Sequence, residues 1–521
     1  MRKSDERGPG GPADEVQAWH RRFSDALGAE AVVAGGPLFG EFRDPFEGPA
    51  PVGHQPALVV QPDSVEGVQA ALRIAVEHGI PLWTSSMGRN YGYGGSAPAV
   101  DGSVVLNLRR MNRVLEIDAE QGFALLEPGV TFAQLYAELR RQGAPLMMSV
   151  PDLGWGSVIG NALEHGYGYN VMGEHASALC GMEVVLPDAT LLRTGQGALP
   201  GSALWACHRR GFGPSLDSLF MQSNFGVVTK AGVWLMPQPE VFATGTILCP
   251  GDADIVPLMA MLRRLLREGV LQGIPMIVSA PPQDSDRQAE ARGPFTMANL
   301  RSVLRPGRWN VRVGLYGDAR MVATRRAILE AAVAMIPGAE LELRTYPGDA
   351  GPDVVEPRDL ISAGIPNQLL LDRLTGVFGE SFGHMDFSPV IPLQAEAAQA
   401  IERLVSDTLE RTGLIGASGF LLNARSMVCA CMIMFDRSDA ERVQAARDAV
   451  RAMYDRSAEW GYAPYRAHVA LVDHVADKFA FNGHALRQTY GRIKDALDPA
   501  GILAPGNHGI WPSHGPAPSR G

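Results

Sequence analysis

The sequence predicts a two-domain fold of the α+β or α/β class, from its length and from the way helical and strand patterns follow one another. The chain has 521 residues, of which 46% are hydrophobic, and this exceeds the usual size of one domain. Short apolar runs alternate with amphipathic stretches in the first half, whereas longer helical patterns follow later. We therefore expect two domains that differ in secondary-structure pattern, with the first boundary at MPQPE, residues 236–240.

The first domain is predicted to start with a β-α-β unit. Residues 56–83 read as a short strand, a turn with Asp63 and Ser64 as cap candidates, an amphipathic helix and a second strand. A later helix is expected to stop at Gly143. The further strands are predicted within residues 103–108, 114–118, 123–129 and 182–237.

The second domain is predicted to consist of strands backed by long helices. A turn-rich tail follows from about Tyr462, and such a segment needs another domain to pack on. The long helical candidates are residues 255–269, 323–335, 395–413 and 440–461.

Composition excludes several classes of protein. A net charge of -10 without charge blocks makes nucleic acid a poor partner. Five cysteines, an odd number, favour buried free thiols in a reducing compartment. No secretory signal or apolar membrane span is found, so we expect a soluble, cytoplasmic protein. The first seventeen residues are interpreted as a disordered arm, and residues 512–521 as a loose end.

Two glycine-rich stretches follow predicted strands, at residues 87–98 and 151–170. Glycine at this density lets main-chain N–H groups turn toward a pyrophosphate, although one such stretch alone would more simply be a tight loop. Gly154, Gly156 and Gly160 approach the G-x-G-x-x-G fingerprint but leave three residues in the second gap. Any dinucleotide is therefore not expected to bind at a standard Rossmann turn.

Motifs along most of the chain resemble one flavoprotein family. They are GRNYGYGG, LLEPGVTFAQLY, VPDLGWGSVIGNALEHGYGY, GMEVVLPDATLLRTGQGALPGS, FMQSNFGVVTKAGVWLMP, GHMDFSPV, PYRAH and DPAGILAPG. Their order and spacing resemble the vanillyl-alcohol oxidase and 4-cresol dehydrogenase family, especially its bacterial eugenol-oxidase-like 4-alkylphenol oxidases. The resemblance implies a two-domain PCMH-type flavoprotein, with an N-terminal arm (1–50), an FAD-binding domain (51–238), a substrate-binding cap (239–461) and a C-terminal segment (462–521) that completes the FAD domain.

The same resemblance implies that FAD is held covalently, as an 8α-histidyl flavin, by His384 of GHMDFSPV. A neutral imidazole nitrogen can attack the flavin 8α carbon. Read without the family, a lone histidine among Phe and Met is more often a core residue. No spaced Cys/His set indicates a metal, so none is assigned. The other implied FAD-binding residues are Ser86, Gly88, Arg89, Asn90, Gly92, Gly94, Gly95, Pro151, Leu153, Gly154, Ser157, Gly160, Asn161, Gly226 and Val228.

The resemblance further implies oxidation of para-substituted phenols at the benzylic carbon, through a p-quinone methide. Such chemistry is easiest from a phenolate, which a guanidinium and phenolic donors could stabilise. Tyr93, Tyr465 and Arg466 match this phenolate site, and Tyr169 matches a further active-site tyrosine. Asp152 matches a carboxylate near flavin N5 that can act as a base. Without the family, each tyrosine would be a core residue and Asp152 a turn cap.

The middle of the chain, which shapes the site for the substrate tail, departs from the family. Asp386 stands where relatives carry glycine or an apolar aromatic, so with Ser388 it is a candidate for contact with the substrate tail. Alternatively, and equally well, Asp386 forms an ion pair with a nearby arginine such as Arg425 instead of meeting the substrate. Dioxygen, giving hydrogen peroxide, is the expected acceptor. Alternatives are a cytochrome-coupled dehydrogenase and an oxidase of another alcohol. Relatives suggest at least a homodimer.

Overall fold

The computed structural model describes residues 12–51, 53–279, 293–304 and 307–514. Its first sheets are formed by strands β1 Val32–Val33, β2 Leu58–Val60, β3 Leu82–Ser85, β4 Val104–Asn107, β5 Val114–Asp118, β6 Phe123–Leu126, β7 Leu146–Met147, β8 Leu179–Val185, β9 Leu191–Arg193, β10 Val227–Trp234 and β11 Met236–Pro237. The order β1-β2-β4-β3 makes a four-stranded sheet, β5-β6-β10-β8-β9 an antiparallel five-stranded sheet, and β7 pairs with β11.

A larger sheet follows in the middle of the chain. It contains β12 Val241–Cys249, β13 Gln272–Ser279, β14 Trp309–Gly317, β15 Glu340–Pro347, β16 Phe382–Phe387, β17 Val390–Pro392, β18 Ile415–Leu422, β19 Ser426–Cys429 and β20 Cys431–Asp436. Its main path runs β15-β12-β14-β13-β18-β19-β17, and β20 joins β18 to β16. The fold is thus the predicted two-domain α+β arrangement.

The helices cover these sheets. They are α1 Pro12–Leu27, α2 Val65–His78, α3 Phe132–Gln142, α4 Val158–Leu163, α5 His175–Ala178, α6 Ile255–Arg267, α7 Met297–Val303, α8 Ala319–Val333, α9 Leu369–Phe378, α10 Ala395–Thr412, α11 Ala440–Glu459, α12 Val472–Ala476 and α13 Phe481–Leu497. Within the described ranges, none of these helices has the length and apolar character needed to cross a membrane.

Two predicted helix ends in the first domain are confirmed. Ser64 caps α2 by accepting a hydrogen bond from the Gly67 N–H at 3.3 Å. Gly143 ends α3 in the left-handed region, with φ of 61°. The predicted disordered arm is wrong for residues 12–17, because α1 begins at Pro12 and buries Phe23 against the first sheet. Residues 1–11 and 515–521 lie outside the described part of the chain.

The C-terminal segment packs on the first sheet. The Leu82 N–H donates to the Ile502 carbonyl at 2.8 Å, and the Ala504 N–H donates to the Leu82 carbonyl at 2.6 Å. Lys494 is fully buried beside this contact and pairs with Asp498 at 2.8 Å. The end of the chain is thereby placed beside β3, at the edge of the cavity described next.

Candidate active site

A cavity of about 420 Å³ lies where loops of the four-stranded and five-stranded sheets meet the large sheet and the C-terminal segment. Most of its wall comes from residues within the ranges 83–97, 151–169, 220–228, 465–472 and 503–508. The large sheet contributes Met276, Asp386, Leu421 and Ala430. Both glycine-rich stretches found in the sequence therefore face the same space.

Unpaired polar atoms on the wall of this cavity match the polar groups of a dinucleotide. Four polar atoms of lining residues are buried and have no hydrogen-bond partner within the described part of the chain. They are Thr84 Oγ1, Arg89 Nε, Ser223 Oγ and Asn224 Oδ1. Unpaired buried polar atoms are costly, and phosphate, ribose or amide groups would satisfy them. A side chain at Gly160 would overlap with Ser86 Oγ, so Ser86 would have to move to make room for it. The donor and acceptor set therefore fits FAD.

The predicted cofactor residues divide between the wall and the layer behind it. Four of the predicted residues do not line the cavity in the described part of the chain: His384, Gly92, Gly94 and Gly154. Gly94 packs against Val469, and the Gly154 N–H donates to the Asn367 carbonyl at 2.9 Å. The predicted residues that do line the cavity are Ser86, Gly88, Arg89, Asn90, Gly95, Pro151, Leu153, Ser157, Gly160, Asn161, Gly226 and Val228.

One end of the cavity brings together Tyr93, Tyr465 and Arg466. The two tyrosine rings meet edge to face with centroids 6.4 Å apart. The Arg466 guanidinium carbon lies 5.5 Å from the Tyr93 ring centroid and 5.2 Å from that of Tyr465. Burial raises the pKa of Tyr93 well above its usual value, and this shift is opposed by Arg466. Tyr93 therefore keeps its proton and is available as a hydrogen-bond donor.

Arg466 is fixed by hydrogen bonds on three sides. Its Nε–H donates to the Glu164 carbonyl, and its two terminal nitrogens donate at 3.3 Å to Asn90 Oδ1 and to the Asn161 carbonyl. Burial alone would lower the pKa of Arg466, but the neighbouring Tyr465, Tyr93, Glu164 and Asp386 together outweigh it and raise this pKa. The guanidinium is thus a permanent, oriented positive charge.

The segment 388–390 positions Tyr465 and Arg466. The Tyr465 N–H donates to the Ser388 carbonyl at 3.1 Å, and the Val390 N–H donates to the Ala463 carbonyl at 2.9 Å. Ser388 Oγ donates to the Arg466 carbonyl at 3.2 Å. Ser388, predicted to meet the substrate tail, is fully buried behind the cavity wall within the described residues.

A second polar group contains Asp152 and Tyr169. The Tyr169 hydroxyl donates to Asp152 Oδ2 and lies 3.3 Å from Met276 Sδ. Arg312 Nη1 lies 3.4 Å from Asp152 Oδ1, and its guanidinium carbon lies 4.6 Å from the Tyr169 ring centroid. Burial and the nearby Asp152 charge raise the pKa of Tyr169, so this hydroxyl stays protonated.

Sequence reasoning missed Arg312. It lies on β14, within the otherwise largely apolar run WNVRVGLYG. A single charge inside such a run was the available signal, because a buried charge needs a partner. Its partner, Asp152, is 160 residues away in the chain, so local sequence could not identify it.

His384 lies on β16 with Asp386 on the same face of the strand, as the two-residue period of a strand requires. His384 Nδ1 lies 2.9 Å from Asp386 Oδ1. The His384 ring packs against Phe46, with centroids 4.8 Å apart, and it is 9% exposed. The alternative pairing of Asp386 with Arg425 is wrong, because the carboxylate binds His384.

Comparison with known proteins agrees with this architecture. A family model described as an FAD binding domain matches residues 56–195, and one described as the C-terminal domain of FAD linked oxidases matches residues 393–508. Together with the fold and the cavity, these matches define an FAD-dependent oxidoreductase.

Full-length relatives give the family. The flavoprotein subunit of 4-cresol dehydrogenase (hydroxylating) from Pseudomonas putida is 33% identical over 469 residues, covering 88% of each chain. The protein therefore belongs to the vanillyl-alcohol oxidase and 4-cresol dehydrogenase flavoprotein family, as the motifs predicted. The 1'-carboxy-chondrochloren decarboxylase of Chondromyces crocatus is 30% identical, covering 88% of this chain and 92% of that one.

A solved structure shares nearly the whole fold. The 4-ethylphenol oxidase from Gulosibacter chungangensis, in its isoeugenol complex, superposes with a TM-score of 0.88. It is 35% identical, and the match covers 97% of this chain and 99% of that one.

Proposed function

We propose that the enzyme oxidises para-substituted phenols, such as 4-alkylphenols, 4-hydroxybenzylic alcohols or eugenol-like compounds, at the benzylic carbon. The observation that carries this proposal is the cluster of Tyr93, Tyr465 and Arg466 at one end of the cavity. Relatives named for 4-cresol and 4-ethylphenol chemistry support it. Dioxygen is the proposed acceptor, giving hydrogen peroxide.

The cluster would bind the substrate as a phenolate. A phenol has a pKa of about 10, so binding its anion at neutral pH needs several kcal/mol of preferential stabilisation. Arg466 supplies the positive charge, and Tyr93 and Tyr465 supply hydroxyl donors. The negative oxygen then pushes electron density through the ring toward the benzylic carbon.

When bound, FAD supplies the acceptor for the hydride that leaves this carbon, which converts the substrate to a p-quinone methide. Asp152 then accepts a proton from the water that adds to the quinone methide. Tyr169 and Arg312 hold the Asp152 carboxylate in place from two sides. Overall, the phenol, water and dioxygen give the benzylic alcohol and hydrogen peroxide.

The residues proposed to hold FAD are those of the two glycine-rich loops, together with a covalent bond from His384. Nδ1 of His384 is engaged by Asp386, so Nε2 is the nitrogen proposed to bind the 8α carbon. Replacing one C–H of that methyl by C–N is a two-electron oxidation. The carbon proton leaves to solvent, and dioxygen takes the electrons.

Oxygen uptake with 4-ethylphenol tests the reaction. We expect uptake and an equal amount of peroxide with 4-ethylphenol, but neither with 4-ethylanisole, which cannot form a phenolate. Tyr465→Phe should lower kcat/KM by roughly 100-fold, as loss of one oxyanion donor does. Tyr316→Phe is the control, since its buried hydroxyl donates to the Ser362 carbonyl away from the cavity.

Other outcomes favour other functions. Turnover of 4-ethylphenol with a cytochrome or dye but without oxygen uptake would indicate a dehydrogenase of the same chemistry. No oxygen uptake with 4-ethylphenol, but uptake with another alcohol that persists in a variant lacking both Tyr465 and Arg466, would instead indicate an oxidase acting on that alcohol.

A further inference from the structure

The contact between His384 and Asp386 leaves the two nitrogens of the imidazole unequal. Nδ1 lies 2.9 Å from Asp386 Oδ1, so it carries the hydrogen and donates it. Nε2 has no hydrogen-bond partner among the described residues. The ring is held from its sides by Phe46 and Phe382, whose ring centroids lie 4.8 and 5.8 Å away. The lone pair therefore sits on Nε2, on a ring that cannot turn freely.

The surroundings hold the carboxylate in this position. Asp386 Oδ2 lies so close to Gly92 that any side chain there would overlap with it. Behind the strand, the Tyr454 hydroxyl donates to the Asp386 carbonyl at 3.1 Å. The Asp386 side chain is 17% exposed and lines the cavity, whereas His384 lies just behind the wall. Asp386 thus contacts the histidine and also borders the proposed cofactor space.

We infer that Asp386 is a positioning residue for covalent attachment of the cofactor, which fixes His384 as the Nδ1–H tautomer and leaves Nε2 as the nucleophile. This inference rests on the histidyl link proposed above. A carboxylate that accepts the N–H of an imidazole also raises the basicity of the other nitrogen.

The charge balance gives the carboxylate a second role. When neutral imidazole forms the C–N bond at Nε2 and keeps its Nδ1 hydrogen, the ring becomes an imidazolium with one positive charge. This ring is 9% exposed, and a buried charge is costly unless it is paired. Asp386 is already in place to pair with it, so the carboxylate stabilises the product of attachment as well as the reactive tautomer.

The test compares the rate of attachment in matched variants. Apoprotein of wild type, Asp386→Asn, Asp386→Ala and His384→Ala is mixed with FAD under air. The fraction of flavin that stays with acid-denatured protein is then followed by absorbance and mass. Asp44→Asn is the control, because Asp44 also pairs with a buried histidine, His468, at 3.0 Å.

We expect Asp386→Asn to slow attachment by about tenfold and Asp386→Ala by about 100-fold, the range for removal of a partner behind a ligating histidine. Asparagine keeps an acceptor oxygen but lacks the charge. Asp44→Asn should attach FAD at the wild-type rate. FAD uptake before denaturation, measured by flavin fluorescence, should change little in either Asp386 variant.

Each contrary result has a distinct meaning. Attachment at the wild-type rate in both Asp386 variants would overturn the role of Asp386 while leaving the link intact. Release of all flavin from acid-denatured wild type, or its retention in His384→Ala, would overturn the proposed link itself. If Asp386→Ala takes up no FAD, the Asp386→Asn rate decides, because that variant preserves the shape of the side chain.

Discussion

Two buried histidine–aspartate pairs have nearly the same length but different surroundings. His384 Nδ1 lies 2.9 Å from Asp386 Oδ1, and His468 Nε2 lies 3.0 Å from Asp44 Oδ2. In the second pair the other nitrogen is also occupied, because His468 Nδ1 accepts the Ala470 N–H at 3.2 Å. A histidine bonded at both nitrogens is a structural link, whereas one with a free nitrogen keeps a nucleophile.

The two pairs also connect different parts of the chain. Asp386 is two residues from His384 on one strand, whereas Asp44 is 424 residues from His468. The pair of Asp44 and His468 joins the N-terminal region to the segment that carries Tyr465 and Arg466. We therefore expect loss of the first pair to affect the flavin bond and loss of the second to affect stability.

Removing each histidine should separate these effects most strongly. His384→Ala should abolish acid-stable flavin, because the proposed bonding atom is gone. His468→Ala should retain acid-stable flavin but lose roughly 2–4 kcal/mol of stability, since two buried hydrogen bonds disappear and Asp44 Oδ2 loses its histidine partner. Mass spectrometry and urea unfolding of the flavin-loaded proteins measure the two quantities. Loss of acid-stable flavin in both variants, or in neither, would contradict a bonding role for His384 and a purely structural role for His468.

Asp44→Asn should give a smaller loss of stability. A buried hydrogen bond to a charged group contributes about 1.5–3 kcal/mol, and asparagine recovers part of it. The flavin content should match that of wild type. Equal unfolding midpoints for wild type and variant would mean that this pair does not stabilise the fold.

The two pairs also show what the sequence could predict. The motif around His384 was recognised, but its contact with Asp386 was not predicted, and Arg425 was a possible partner of Asp386 until the fold was known. No local pattern connects Asp44 with His468, because their contact depends on how the chain ends meet. A separation of 160 residues likewise hid the contact of Arg312 with Asp152, whereas Tyr93, Tyr465 and Arg466 were predicted because each lies in a distinctive motif.

Gly92→Ala tests the first pair from the opposite side. A methyl group at this position overlaps with Asp386 Oδ2, so it should push the carboxylate away from His384. We expect attachment of FAD to slow several-fold, less than in Asp386→Ala, because the carboxylate can still move back. Gly376→Ala is the control, since a side chain there meets nothing within 4 Å. A wild-type attachment rate for Gly92→Ala would show that the carboxylate has room to stay in place.

Acid should erase the contribution of the second pair, and this is the smallest effect expected. Burial alone would raise the pKa of Asp44, but His468 and the Phe46 N–H outweigh it and leave this pKa below its usual value. A lowered folded-state pKa adds stability above the unfolded value of about 3.9, and that stability is lost as pH falls through the folded pKa. The difference in unfolding free energy between wild type and Asp44→Asn should therefore shrink as the pH falls below about 4. Urea unfolding of both proteins at several pH values measures this difference. A difference in unfolding free energy that grows in acid would show that the Asp44 carboxylate opposes folding instead of stabilising the fold.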